Sequence, residues 1–337
     1  MSFRGLVSAL CAAAAIAAAA APASAADEKQ LQFLSFPQGS LAYIVATSIA
    51  SAAARHSTYS VLPVPYAGPQ VFMPLLDKGE GALALINVNE ARQAYEGVKP
   101  AYERPLRNVR LVSIGYENLV APLVTVKSGI TDAHMLKGKT VAGKYTAHQG
   151  CIDLSTAVIA NLGMTWSDVQ VVPVQSSVPG IAVLGDGRAV ASLCASPDLA
   201  ITKETNLKTP LRFLSIDTSP AAVQRARAVF AGMHPRRIAA GTSETFVEDT
   251  DTFAYNFYLL TNTNVSDDAA YAIAKTIWDG LPELEQAHTI FKTWLRDHMA
   301  EADVTVPYHP GAIRFYKEQG VWTADMDATT KRLLSGM

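Results

Sequence analysis

The sequence lacks the short motifs that mark common exported enzymes and nucleotide-dependent enzymes. It contains no HExxH or CxxC pattern for a metal ion, no G-x-S-x-G elbow for a hydrolase serine, and no Walker or G-x-G-x-x-G loop for a nucleotide. Its seven histidines do not fall at metal-ligand spacings. These absences argue against a metalloenzyme, an α/β hydrolase and a nucleotide enzyme. They predict a protein without a catalytic residue, a metal or a cofactor.

Charge is also scarce. Charged residues make up 17% of the 337 residues, and the formal net charge is −2. Without a basic surplus there is no electrostatic footprint for nucleic acid, so we predict no nucleic-acid partner. Hydrophobic residues reach 49%, which supports large cores and excludes a disordered chain. The length allows two domains.

Long apolar runs are confined to the N-terminus. Arg4 supplies a positive charge, residues 6–21 are apolar and uncharged, and residues 23–25 (ASA) have the form of a cleavage site. The run is shorter than the ~20 residues that a membrane-spanning helix needs. We therefore predict a cleaved signal peptide over residues 1–25 and a periplasmic mature protein.

The chain has only three cysteines. Cys11 lies in the apolar run, so a lipoprotein is an alternative, although residues 8–10 (SAL) lack the leucine expected at the start of such a box. Cys151 and Cys194 remain after cleavage, and an oxidising compartment would permit them to pair. Their spacing leaves both a disulfide and two free thiols open.

Short apolar runs alternate with helical patterns in two successive units. The first unit has predicted strands at 31–36, 58–64 and 82–87 and predicted helices at 41–56, 69–78 and 89–96. The second has predicted strands at 140–142, 169–174, 189–194 and 211–216 and predicted helices at 150–162 and 178–185. This order favours α/β architecture with mainly parallel sheets and helices on both faces.

Two longer extended segments, 119–126 and 252–261, bracket the second unit and are predicted to cross between domains as hinge strands. After them, helices are predicted at 266–281, 283–300 and 311–319, with the first sheet as their packing partner. The predicted domains are therefore 27–118 plus 259–337 for domain I, and 119–258 for domain II. A cleft between two such lobes is a usual ligand site, so the pattern favours an exported binding protein that closes on a ligand, with a secreted hydrolase as the alternative.

Polar residues at two strand ends are candidates for the site. Gly39-Ser40 follows a strand and opens a helix, and its hydroxyl and N–H groups suit either a helix cap or an anionic ligand. The segment 143–150 (GKYTAHQG) is either a polar wall of the cleft or a solvated loop that caps the next helix. At Gly39-Ser40 and at residues 143–150, the helix-capping role and the ligand-binding role both stay open.

The stretch VTVPYHPGAIRFYKEQG, residues 304–320, contains the most conspicuous histidine. Pro310 suits the first turn of a helix, so His309 is predicted to order that helix entry by hydrogen bonding, with a ligand or catalytic role as the alternative. His288 and His298 are predicted surface or packing residues. Adjacent acidic residues such as Asp267 and Asp268 are predicted to cap helices, because negative charge is favourable in a first turn.

Four motifs in order give the chain a resemblance to a known family. GSLAYIVATSIA (39–50), AGPQVFMPLLDKGEGALALINVNEARQAYEG (67–97), VKSGITDAHMLKGKTVAGK (126–144) and VPYHPGAIRFYKEQG (306–320) resemble motifs of the TAXI-type solute-binding proteins of TRAP transporters. The resemblance implies a type II periplasmic-binding-protein (Venus flytrap) fold. It also implies a receptor that binds a small carboxylate in the interdomain cleft and delivers it to TRAP membrane subunits.

Several ligand-facing positions depart from the family pattern. Ser40 replaces a glycine, whereas Tyr43 is retained, and Asn87 and Asn89 stand where the family has glutamine and aspartate. AHQGCI, residues 147–152, occupies the place of the family's GSGTE loop. Because a buried ammonium group needs an anionic partner, the loss of an aspartate at Asn89 suggests an organic acid without an ammonium group.

The residues and the resemblance together predict a ligand site. The carboxylate would bind at the start of the first helix, and domain II would close with the 144–151 loop. The predicted ligand-binding residues are Gly39, Ser40, Tyr43, Gly68, Asn87, Asn89, Lys144, Tyr145, His148, Gln149, Cys151 and Ser196. Two other functions compete with this one. The first is a sensor subunit for a signalling partner, and the second is an exported enzyme using His148 or His309.

Overall fold

The structure is a computed structural model that describes residues 29–146, 148–197 and 199–336. The predicted signal peptide lies outside the described residues. Within those ranges, no helix combines the length and the apolar character needed to cross a membrane.

Strands and helices alternate along most of the chain. The strands are β1 (Gln30–Ser35), β2 (Ser60–Pro65), β3 (Leu83–Asn87), β4 (Val109–Val120), β5 (Leu123–Thr125), β6 (Thr140–Gly143), β7 (Gln170–Pro173), β8 (Ala191–Ser192), β9 (Leu211–Phe213), β10 (His234–Ile238) and β11 (Thr250–Asn262). The helices are α1 (Leu41–His56), α2 (Pro69–Lys78), α3 (Val88–Glu96), α4 (Gln149–Asn161), α5 (Ser177–Gly185), α6 (Ala200–Lys208), α7 (Pro220–Val229), α8 (Asp267–Ala287), α9 (Pro310–Glu318) and α10 (Ala324–Ser335). The sequence patterns did not predict α6, α7, β10 or α10.

The first sheet has the strand order β10–β11–β3–β1–β2, and β4 also pairs with β11. β1 is parallel to β2 and β3, with Phe33 opposite Leu83. All residues of β3 are buried, as expected for a parallel strand covered on both faces. β11 runs antiparallel to β3, β4 and β10. The predicted parallel β1–β2–β3 core is confirmed, and long antiparallel strands extend it.

The second sheet has the strand order β7–β6–β8–β5–β9. β6 is parallel to β7 and β8, whereas β5 is antiparallel to β8 and β9. Helices α4 and α7 pack against each other beside this sheet. Arg225 of α7 donates to the carbonyl of Ala160 at 2.9 Å, where a cation suits the C-terminal end of α4.

Two chain connections join the sheets, and each lies next to a long strand of the first sheet. β4 ends at Val120, and after Ala121-Pro122 the chain enters the second sheet as β5. Proline has no N–H group for a ladder, which explains the break, but its carbonyl still accepts from Leu214 N at 2.9 Å. The returning strand, β11, pairs with β4 from Phe253 to Asn262. The predicted pair of crossing strands is therefore present.

The C-terminal helices pack on the first sheet side. α8 packs against α1 and β4, and α9 packs against α8 and β4. Tyr316 of α9 is buried, and its hydroxyl donates to the Val112 carbonyl at 3.1 Å. These contacts agree with the expected packing partner.

The predicted helix over residues 283–300 is wrong. α8 continues across Pro282 to Ala287, and two 3-10 segments, Thr289–Thr293 and Arg296–His298, follow. His288 begins the first segment by accepting from Ile290 N at 3.1 Å. Trp294 is fully buried, and its indole N–H donates to Ser113 Oγ of β4 at 3.2 Å. The apolar residues of this region therefore anchor a compact turn against β4.

His309 orders the start of α9, as predicted. Its ring is buried, Nδ1 accepts from Gly311 N at 3.1 Å, and Nε2 donates to the Val265 carbonyl at 3.1 Å. Burial lowers the pKa of His309, which agrees with a neutral ring that uses one nitrogen as acceptor and the other as donor. Gly311 permits close packing, since a Cβ there would lie 2.0 Å from the Asp267 carbonyl oxygen.

Candidate functional site

A cavity of about 490 Å³ lies between the two sheets. From the first-sheet side, its wall comes from the start of α1, the β3–α3 junction and the 3-10 segment after α8. From the second-sheet side, it comes from the starts of α4 and α5 and the loop after β8. The crossing strands β4 and β11 form its back. The volume is in the range of small-molecule sites.

Aromatic rings dominate the back of the cavity. Tyr116 of β4 and Phe257 of β11 stack with ring centroids 4.6 Å apart, and Tyr255 lies 6.3 Å from Phe257. Phe36 adds a ring from the loop that precedes α1. The half-buried rings of Phe36 and Phe257 offer apolar contact surface to a ligand, whereas Tyr116 and Tyr255 are buried.

Glu90 supplies the carboxyl group of the cavity. Asn87 caps α3 by accepting from Glu90 N at 2.9 Å, and its amide donates to Glu90 Oε2 at 2.6 Å. Glu90 is only 5% exposed. Burial, with a smaller contribution from the charge of Asp153, raises the pKa of Glu90 from 4.5 to about 8. At neutral pH the carboxyl group is therefore mostly protonated.

The other oxygen of Glu90 points towards α4. A Cβ placed on Gly150 would lie 3.6 Å from Glu90 Oε1 and 3.6 Å from His148 Nε2. Gly150, His148 and Glu90 all line the cavity. The missing side chain at Gly150 therefore leaves room where two polar groups from the two sides of the cleft converge.

A second carboxylate, Asp153, lies behind this point. Its oxygens accept from Asn89 at 3.1 Å, from Gln93 at 2.8 Å and from Gln149 at 2.8 Å. Burial raises the pKa of Asp153, although these hydrogen bonds oppose the shift. Asp153 does not line the cavity, so the side chains of Asn89 and Gln149 serve this contact between α3 and α4.

Cys151 and Cys194 form a disulfide, with their Cα atoms 5.3 Å apart. The bond joins the first turn of α4 to the loop after β8, and that loop contributes Cys194 and Ser196 to the cavity. His148 is exposed in the cleft, and its Nδ1 lies 3.3 Å from Cys151 Sγ. The disulfide therefore ties together two parts of the same cavity wall.

The described residues that line the cavity include no lysine and no arginine, and Glu90 is their only carboxylic acid. Hydroxyl and amide groups come from Ser40, Asn118, Ser177 and Ser196. Within the described ranges, no cluster of three or more His, Cys, Asp or Glu side chains could hold a metal ion.

Four of the predicted site residues meet at this cavity: Ser40, Asn87, His148 and Ser196. Ser40 and Asn87 come from the first-sheet side, and His148 and Ser196 come from the second. Ser40 Oγ accepts from Tyr43 N at 3.2 Å, so the serine caps α1. The same residue also borders the cavity. Ser196 Oγ donates to Asn118 Oδ1 at 3.4 Å.

The remaining predicted residues lie outside the cavity lining. Tyr145 is buried in the second lobe, where its hydroxyl donates to the Ala142 carbonyl at 3.3 Å. Lys144 is exposed and has a left-handed backbone with φ of 50°. The others that do not contribute to the lining are Gly39, Tyr43, Gly68, Asn89, Gln149 and Cys151.

Sequence reasoning missed Glu90 and the aromatic back wall. The pattern Asn87-x-x-Glu90 is a capping signal, and it predicts a local contact at a helix start. No local signal shows that the same carboxyl group faces Gly150 on the other side of the cleft. Tyr116 and Phe257 lie on long strands whose pairing alone brings their rings together.

A second cleft of about 410 Å³, lined by residues of β4, β10 and the turn after α8, contains ion pairs. Glu117 Oε1 lies 3.0 Å from His234 Nε2, and its Oε2 lies 3.5 Å from an Arg236 nitrogen. Burial would raise the pKa of Glu117, but the hydrogen bond from His234 and the charge of Arg236 outweigh it and lower the pKa. The hydrogen bond to Glu117 raises the pKa of His234.

The sequence pattern of the NMT1-like family matches residues 33–320, which is most of the chain. The chain therefore belongs to the NMT1-like family. The match includes the strands and helices that carry the cavity, from β1 to α9.

Solved structures with the same fold are periplasmic proteins. A TctC solute-binding protein from Polaromonas, without ligand, has a TM-score of 0.51 and 12% identity, and the match covers 93% of this chain and 100% of that one. The periplasmic binding protein BugD has a TM-score of 0.52 and 9% identity, covering 91% and 95%. A periplasmic transporter has a TM-score of 0.51 and 14% identity, covering 93% and 97%. This member of the NMT1-like family thus has the predicted two-lobed α/β fold of periplasmic solute-binding proteins.

Proposed function

We propose that the protein is an exported receptor that captures a small solute between its lobes and delivers it to the membrane subunits of a TRAP-type transporter. The observation that supports this proposal best is the cavity of about 490 Å³ whose walls come from both sheets. Two crossing strands join those sheets, and closure about such strands shifts the population towards a form that a membrane partner can recognise.

Within the NMT1-like family, we assign the chain to the TAXI type because of the four motifs at residues 39–50, 67–97, 126–144 and 306–320. The proposed domains remain 27–118 plus 259–337 and 119–258. The break after Val120 and the strand β11 support crossings near these boundaries. A periplasmic location follows from the proposed signal peptide.

A small carboxylate remains the ligand that the family resemblance implies. The hydroxyl of Ser40 and the first N–H groups of α1 would hold it, because a helix start suits an anion. His148 and Ser196 would contact it from the other lobe. The described lining offers no lysine or arginine to neutralise such a ligand, so the helix start would have to do so unaided.

The test is a thermal-shift screen of the mature protein against a solute library, followed by mass spectrometry of the bound solute. We expect a stabilised hit that is recovered unchanged. Saturating ligand at 100 times its Kd should add about 2.7 kcal/mol to the free energy of unfolding. Chemical conversion of the hit would favour an enzyme instead, and uptake that continues without the protein would exclude a transport receptor.

A further inference from the structure

Glu90 is a buried acid, and none of the described residues around it is a lysine or an arginine. Its carboxyl group contacts the Asn87 amide, and the groups that face it from other elements are Asp153 and His148 on the α4 side, Tyr102 after α3, and Tyr255 on β11. None of these is a lysine or an arginine. An unpaired carboxylate at such a position is costly, so a purely structural role would be better served by an amide.

The nearest cation of the same helix is directed elsewhere. Arg92 donates to Glu96 Oε2 at 2.7 Å and to the side-chain oxygen of Asn89, Oδ1, at 3.3 Å. Glu90 Oε1 instead borders the open space over Gly150. The cavity therefore contains one carboxyl oxygen, Glu90 Oε1, that has space beside it for a polar group of a ligand.

The rest of the cavity wall is largely apolar. Around the polar groups lie aromatic rings and the aliphatic side chains of Leu119, Val120, Leu154, Leu199 and Ile290. A ligand that fits this wall has an apolar body and presents its polar group at Glu90.

We propose that the cavity takes a solute with a protonated nitrogen, an amine or an amidine, on an apolar body, and that Glu90 pairs with this nitrogen. The proposal rests on the receptor function above and names its solute class. It takes the place of the small carboxylate that the family resemblance implies, and of the hypothesis of a ligand without an ammonium group, which depended on Asn89. The side chain of Asn89 binds Asp153, whereas its neighbour Glu90 supplies the anion at the cavity.

Binding has a defined proton balance. In the empty cavity at pH 6.5 the Glu90 carboxyl group holds a proton, because its pKa is about 8. When a protonated amine binds, the carboxyl group ionises, the ammonium group keeps its proton, and one proton passes to solvent. The affinity should therefore rise about tenfold per pH unit between pH 6 and 7 and level off above pH 8. A carboxylate ligand that needs Glu90 protonated would bind with nearly constant affinity between pH 6 and 7 and more weakly above pH 8.

The experiment uses three matched probe sets: arylalkyl and alkyl amines, the carboxylates with the same bodies, and the corresponding alcohols. Each set is screened by thermal shift against the mature protein, and hits are titrated by calorimetry at pH 6, 7 and 8. Buffers of different ionisation enthalpy report the protons released. The variants are Glu90→Gln, which keeps the shape, and Glu103→Gln, which makes the same side-chain change at an exposed position.

We expect hits among the amines, release of close to one proton at pH 6.5, and at least about 30-fold weaker amine binding by Glu90→Gln, with Glu103→Gln unchanged. Hits confined to carboxylates or alcohols, bound equally well by Glu90→Gln, would overturn the amine proposal and leave the receptor function intact. No stabilised member in any set would count against the receptor function, and the amine proposal would fall with it.

Discussion

Glu90, which is buried, and Glu117, which is half-buried, lie in two clefts of one protein, and their surroundings shift their pKa values in opposite directions. Glu90 lies in the aromatic cavity, and burial raises its pKa to about 8. Glu117 lies in the second cleft beside His234 and Arg236, and the hydrogen bond and charges of these partners overcome burial and lower its pKa. Near neutral pH the first is mostly neutral and the second is ionised.

The difference shows what a buried carboxyl group can be used for. Glu117 has its cations within the protein, so it links β4 to β10 and has little to offer a ligand. None of the described residues around Glu90 is a lysine or an arginine, so a cationic ligand could form the ion pair that the protein itself does not form there. We therefore propose separate roles for the two clefts, with the ion-paired cleft as a structural link and the aromatic cavity as the ligand site.

Removing the disulfide tests most strongly whether the two clefts are independent, because the disulfide joins only walls of the aromatic cavity. In the double variant Cys151→Ala/Cys194→Ala, we expect the free energy of unfolding to fall by about 2–4 kcal/mol, as for other disulfides that close loops of this order. Urea denaturation measures the change. The raised pKa of His234, followed by NMR, should persist, and its loss would show that the clefts are coupled.

Glu90 should make stability depend on pH. Its folded pKa of about 8 is above its unfolded value of 4.5, so its contribution is fully favourable below pH 4.5 and is lost as the pH rises through 8. We expect Glu90→Gln to remove a loss in the free energy of unfolding of about 4 kcal/mol between pH 5 and 8.5. Denaturant titrations at both pH values, with Glu103→Gln as the control, check this. Equal pH dependence in Glu90→Gln and the wild type would contradict the raised pKa.

Glu117 should have the opposite effect. Its lowered pKa adds stability that is present above its unfolded value and is lost as the pH falls through the folded value. The raised pKa of His234 adds stability that is present below pH 6.5 and is lost as the pH rises through the folded value. Since His234 and Arg236 are partly exposed, Glu117→Gln should cost only about 1 kcal/mol near pH 6. A stabilised variant would refute the link.

The substitution Asp153→Asn should have the smallest effect, because it changes the pKa of Glu90 and leaves the Glu90 side chain in place. The charge of Asp153 adds to the effect of burial on the pKa of Glu90, so Asp153→Asn should lower that pKa, and by less than full exposure of the carboxyl group would. Carboxyl-selective ¹³C NMR measures the shift. The pKa of Glu117 should stay where it is, and a matching shift there would indicate a general rearrangement.

Local patterns predicted much of the fold because local chemistry decides it. The predicted helix 41–56 coincides with α1, since Ser40 caps its start and an apolar face is repeated along it. The helix predicted over residues 283–300 was wrong because its apolar residues pack against β4, a strand far away in the chain. Helical spacing alone cannot distinguish such a turn from a helix.

The site was predictable where a residue marks both a local structure and the end of a strand. Ser40 and Asn87 cap helices and also border the cavity. Glu90 was not predictable, because its role depends on Gly150 and His148, which reach it only when the two lobes come together. The pairing of Cys151 with Cys194 was likewise left open by spacing and decided by the packing of α4 on the second sheet.

The most direct test of the central claim is a pH titration of the Glu90 carboxyl carbon by ¹³C NMR, in the empty protein and in the protein saturated with the tightest-binding amine. We predict a midpoint near pH 8 without ligand. With the amine bound, we predict an ionised carboxylate already at pH 6.5. A carboxyl group that is ionised at pH 6 in the empty protein, or one that remains protonated when the ligand is bound, would contradict the assignment of Glu90 as the anionic partner of the ligand.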